Sequence, residues 1–148
     1  MIRVFLDANV IFTAAHNPEG NGSALFRLAA ERGYDVISSQ YAIDEASRNI
    51  AVKYPECMAE LAGLVASLTP VAEPSADAIN RALAYNVPQK DLPILAAAIA
   101  SEANVLVTGD RRHFGHLYGK IVEGVGVLMP ADAVSWAMSR RPAELWRE

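Results

Sequence analysis

Four acids in this sequence sit where carboxylate chemistry would need them. Asp7 closes the apolar run Ile2-Arg3-Val4-Phe5-Leu6, and Asp110 follows Val105-Leu106-Val107 through Thr108-Gly109. Asp91 opens a helical stretch, Leu92 to Ala103, and stands 19 residues before Asp110. That helix carries the chain about 20 Å one way at 1.5 Å per residue, and the strand after it returns, so Asp91 and Asp110 finish at one edge. Glu45 lies within two turns of the start of the helix that follows the second strand, near the same strand ends. Open α/β sheets bind ligands along that rim. Carboxylates gathered in one cleft raise each other's pKa unless a cation offsets them. One or two Mg²⁺ or Mn²⁺ ions, which favour oxygen ligands, would do so. A site of this kind suits phosphodiester hydrolysis, with the metal activating water and neutralising the charge that builds on phosphate. Cys57 has no histidine near it in sequence, and no Ser/His/Asp set competes.

Each acid also has a plainer role. Asp91 before Leu92-Pro93 reads, taken alone, as a helix N-cap, and Asp110 after glycine as a turn residue. Glu45 alone is a solvated helix acid, beside Asp44, which can pair with Arg48 one turn on. Asp7 is the hardest to dismiss, because a charge ending a buried strand is costly unless paired or coordinated. The coincidence of the four positions carries the argument.

The elements that must place these residues follow from periodicity and punctuation. Strands are expected at Ile2–Leu6, Asp35–Ser38, weakly around Val71, at Val105–Val107 and at Gly126–Met129, about five in all. Residues 8–16 are assigned no element, and 17–22 read as loop. Helices are expected from a Ser23 cap to Gly33, from about Ser39 to Tyr54, from Pro55 to Pro70, from a Ser75 cap to Tyr85, from Leu92 to Ala103, and from Pro130 to Ser139. The Leu92 helix is apolar nearly all round and should be deeply buried. Strands alternating with helices imply a mainly parallel sheet with helices on both faces. Arg140, Arg141 and Arg147, interspersed with Glu144 and Glu148, read as a solvated tail.

Composition agrees with one α/β domain over residues 1–148. Of the 148 residues 52% are hydrophobic and 20% charged, which is a globular balance. Net charge is −4, which argues against a protein that coats nucleic acid nonspecifically. The single cysteine allows no intrachain disulfide. The longest apolar run, Ile94 to Ala100, is far short of the ~18–20 residues of a membrane span, and no signal peptide is readable. A cytoplasmic protein without a membrane role is expected.

Together, Leu6-Asp7-Ala8-Asn9-Val10, the helix holding Glu45, Asp91-Leu92-Pro93-Ile94-Leu95-Ala96-Ala97-Ala98 and Leu106-Val107-Thr108-Gly109-Asp110 resemble the PIN-domain family of metal-dependent nucleases. That family includes the VapC-like toxins of toxin–antitoxin pairs. The resemblance spans residues 2 to about 130. It implies a three-layer α/β/α sandwich, a ribonuclease acting on single-stranded or structured RNA, and a homodimer. It makes Asp7, Glu45, Asp91 and Asp110 the catalytic, Mg²⁺- or Mn²⁺-binding acids, with Asn9 and Thr108 orienting a carboxylate or water. It departs from the family where many members carry a further acid two or three residues after the last Asp; here Arg112 and His113 stand there, leaving four acids for the metal.

Beside Asp110, Arg111-Arg112-His113-Phe114-Gly115-His116-Leu117-Tyr118-Gly119-Lys120 mixes cations with two aromatics. Phe114 should pack inward and Arg111 and Arg112 face the substrate phosphates, with Arg48 a second phosphate contact beyond Glu45. His113 and His116 are given no role. A cognate antitoxin is an expected partner, and the helices between Ser39 and Thr69 an expected dimer interface. A dinucleotide-binding domain is excluded, since Gly20-Asn21-Gly22 lies well past strand one and Leu25 replaces the third glycine. A phosphoacceptor receiver domain lacks its strand-three aspartate. The alternative is a PIN-like module with little catalysis that binds RNA or protein.

Overall fold

Val4, Phe5 and Leu6 of the first strand, β1 (Arg3–Leu6), are all fully buried. Successive residues of a strand point to opposite faces, so burial of all three means that both faces are covered. The same holds for Val105, Leu106 and Val107 of β4 (Val105–Val107). The protein, seen in a computed structural model that describes residues 1–139, is therefore a three-layer α/β/α sandwich. The expected solvated tail from Arg140 to Glu148 lies outside the described residues.

The remaining strands are β2 (Asp35–Ser39), β3 (Thr69–Val71), β5 (Ile121–Val122) and β6 (Val125–Leu128). Their order across the sheet is β3-β2-β1-β4-β6-β5, parallel throughout except that β5 runs antiparallel to β6. The sheet has six strands, where the sequence suggested about five. The extra one is the β5–β6 hairpin, turned by Glu123 and Gly124, both at positive φ (51° and 88°). Two left-handed residues in a two-residue turn match the twist of a hairpin.

The helices are α1 (Ala8–His16), α2 (Asn21–Arg32), α3 (Gln40–Lys53), α4 (Met58–Ser67), α5 (Ala76–Ala82), α6 (Leu92–Ala100), α7 (Arg111–Phe114) and α8 (Pro130–Ser139). Helix α1 has no counterpart in the sequence reading. It begins directly after β1 because the Asp7 carboxylate accepts from the Ala8 amide at 2.7 Å, capping it. Ser23 does not cap α2, whose N-cap is Gly20; its hydroxyl instead donates to the Ala14 and Asn17 carbonyls, locking α2 against α1. Ser39 and Ser75 cap α3 and α5. Helix α6 is buried on every side but its ends, as its apolar sequence requires, and stops at Ala100 rather than Ala103. The chain then turns through Glu102 at φ 56°.

From β1 the chain builds outward to β2 and β3, then returns to place β4 on the other side of β1. The carboxyl ends of β1 and β4 therefore flank the point where strand order reverses, the position at which such sheets form a ligand crevice.

Candidate metal centre

Asp7 and Thr108 are the residues that follow β1 and β4, and the sheet holds them side by side. The Asp7 amide donates to the Val107 carbonyl at 3.0 Å, and the Thr108 amide to Leu128 at 3.1 Å. Above this edge the Thr108 hydroxyl donates to Asp7 Oδ2 at 2.8 Å and accepts from the Asp110 amide at 3.1 Å. Asn9, on the first turn of α1, donates from Nδ2 to Asp7 Oδ2 at 3.2 Å, and its Oδ1 accepts from the Gly109 amide at 2.7 Å. A Cβ at Gly109 would come within 3.2 Å of that same Asn9 oxygen, so a larger residue there would push Asn9 aside by a few tenths of an ångström. Asn9 and Thr108 thus tie the Asp7 carboxylate to the Thr108-Gly109-Asp110 turn by hydrogen bonds.

Asp7 is only 4% exposed. Burial raises its pKa to about 6; the bonds from Thr108 and Ala8 act the other way, and the charges of Asp91 and Glu45 raise it further. Burial also raises the Asp91 carboxyl, opposed by His113 and Lys90 and reinforced by Asp110. The charges of Asp91 and Glu45 thus reach Asp7, and that of Asp110 reaches Asp91. Glu45 is half-buried on α3, and Tyr41 one turn earlier donates to the Lys90 carbonyl at 2.6 Å, tying α3 to the segment that presents Asp91.

Asp91 is not a working helix cap. It occupies the N-cap position of α6 but makes no capping hydrogen bond. Its Oδ2 is buried against the His113 ring. Asp110 caps the four-residue α7, its Oδ1 accepting from the His113 amide at 3.1 Å. Its Oδ2 lies 2.7 Å from His113 Nδ1, which lies 3.0 Å from Asp91 Oδ2. One ligand atom from each of Asp91, Asp110 and His113 falls within 4.8 Å of the others, close enough for a single ion to reach all three. Two carboxylates and an imidazole nitrogen within reach of one another are a donor set that fits a divalent cation.

His113 is the group that sequence reasoning passed over. The Asp110–His113 spacing signals only that the His113 amide reaches the capping carboxylate, not where the ring turns. Phe114 is fully buried and Arg111 and Arg112 are exposed, as expected. Arg48 is exposed on α3, close enough to Tyr41 to oppose the rise in its pKa, and Asp44 accepts from Gln40 at 2.8 Å. Lys90, beside Asp91, is an exposed cation on the same rim that the sequence did not single out.

The family model for the PIN domain matches residues 3–112, from β1 into α7. This chain belongs to the PIN-domain family. Its fold is shared with solved structures at low sequence identity. A chain of VapBC2 from Rickettsia felis, bound to a DNA fragment from the promoter, matches with a TM-score of 0.66 at 16% identity, covering 86% of this chain and 98% of that one. DNA-bound VapBC from Salmonella typhimurium matches at 0.65 and 17%, covering 88% and 99%. PAE2754 from Pyrobaculum aerophilum matches at 0.67 and 16%, covering 94% and 97%. No curated protein sequence matches this PIN-domain chain. Among its described residues no helix is long and apolar enough to cross a membrane.

Proposed function

We propose that this PIN-domain protein is a metal-dependent endoribonuclease and the toxin of a toxin–antitoxin pair. The observation that supports the reading is the run of contacts that links Asp7 through Thr108 to Asp110, and Asp110 through His113 to Asp91, past the ends of β1 and β4, with the charge of Glu45 acting on Asp7. These four acids are the proposed ligands and catalytic groups. A bound Mg²⁺ or Mn²⁺ would supply activation of water and charge neutralisation at the scissile phosphate. The chain's own contribution is to hold the carboxylates ready: Thr108 and Asn9 fix the Asp7 carboxylate, and burial of Asp91 Oδ2 leaves it unsolvated. Arg48, Arg111, Arg112 and Lys90 surround the acids with exposed cations that can bind RNA phosphates on a chain that is acidic overall. The DNA-bound VapBC structures support a partner antitoxin. We place homodimerisation on α3 and α4, where Val52 and Met58 are exposed.

The test is cleavage of a panel of structured and single-stranded RNAs by purified protein with Mg²⁺ or Mn²⁺. Wild type should cut at least one RNA, chelation should stop it, and D7N or D91N should stop it while the protein stays folded by circular dichroism. No cleavage with either ion across the panel would favour a binding module instead.

A further inference from the structure

Resting on the metal-dependent reading, we propose that His113 is itself a ligand of the bound ion, and that its nitrogen turns the site from Mg²⁺ toward a transition ion such as Mn²⁺, Co²⁺ or Zn²⁺. The geometry is specific. His113 Nδ1 approaches Asp110 Oδ2 to 2.7 Å and Asp91 Oδ2 to 3.0 Å. Nδ1 thus sits between the two carboxylates at ion-pair distance, and one ligand atom from each of the three residues lies within 4.8 Å of the others. Two donors at right angles on an ion roughly 2.1 Å away stand roughly 3 Å apart, which is the spacing these atoms keep. The α7 turn fixes this orientation: the His113 amide engages Asp110 Oδ1, leaving Oδ2 and the ring on the crevice side. His113 occupies one of the two places where many family members carry a further acid. An imidazole there exchanges a hard oxygen for a borderline nitrogen, the donor that Mn²⁺, Co²⁺ and Zn²⁺ accept more readily than Mg²⁺ does. The other histidines are engaged elsewhere: His116 Nε2 lies 2.7 Å from the Tyr85 carbonyl, and His16 stacks on Tyr54.

Two measurements on the full chain test this. Electron spin-echo envelope modulation of bound Mn²⁺ should show a directly coordinated ¹⁴N in wild type that H113D and H113Q lose. Competition calorimetry should show the Mn²⁺-over-Mg²⁺ preference falling at least tenfold in H113D, which restores an oxygen ligand. The wild-type spectrum decides the matter even if a variant folds poorly. Mn²⁺ bound without nitrogen coupling, or a preference unchanged in H113D, would overturn the role of His113 while leaving the nuclease reading standing. A wild-type protein that binds no divalent ion and cuts no RNA would remove both.

Discussion

Thr108 serves two elements with one hydroxyl. It donates to Asp7 Oδ2 and accepts from the Asp110 amide, so the two strand-end acids are set relative to each other by a single fully buried oxygen. Thr108→Val keeps the shape and removes both bonds. We expect it to weaken Mn²⁺ binding about 10–100-fold by calorimetry, as loss of a group that orients a ligand does, while Thr108→Ser retains most of the affinity. Equal affinity in Thr108→Val and wild type would deny Thr108 that role. At this scale the strand and helix ends pointed to Asp7, Glu45, Asp91 and Asp110, and the family resemblance added Asn9 and Thr108. It could not reveal that Asp91 fails to cap its helix, or that the His113 ring turns back onto two carboxylates. Those facts depend on side-chain directions in a short turn, which a single sequence does not encode locally.

The elements that hold this arrangement are short, and their junctions matter more than their lengths. Helix α1 starts at Asp7 itself and leans on α2 at Gly22, where a Cβ would come within 2.9 Å of the Val10 carbonyl and 3.3 Å of the Ala14 amide. Both atoms are backbone and cannot move aside. Gly22→Ala should therefore force α2 away from α1 and cost about 1–3 kcal/mol, seen as a lower urea midpoint; an unchanged midpoint would mean the contact is loose. Strands β1, β2 and β4 and helices α3 and α6 were legible from apolar runs, caps and breakers. Helix α1 was not, because Val10, Ile11, Phe12 and Thr13 carry the β-branched and aromatic character of a strand, and packing against α2, α3 and α4 overrides that preference. The two-residue β5 is too short to show an alternation, and its Glu123-Gly124 turn was the one local cue.

The whole molecule concentrates negative charge at the point where its sheet changes direction, and its stability should register that cost. Because the folded state holds the Asp7 proton more tightly than the unfolded chain, its pKa rises from 3.8 to about 6. The metal-free protein should thus be most stable below about pH 4 with respect to this group, and lose on the order of 2–3 kcal/mol as pH rises through about 6. Asp7→Asn should flatten that slope in chemical denaturation, and a slope unchanged in the variant would assign it to other groups. A bound cation should reverse the trend, so the Tm increase produced by Mn²⁺ should be larger at pH 7.5 than at pH 5; a pH-independent increase would point to binding away from Asp7. The most direct test of the account is anomalous diffraction from crystals grown with Mn²⁺. The account predicts a strong peak in the crevice between β1 and β4, within coordination distance of the Asp91 and Asp110 carboxylates and adjacent to Asp7. Well-ordered crystals with that crevice free of any peak, or with Mn²⁺ bound only elsewhere on the surface, would contradict it.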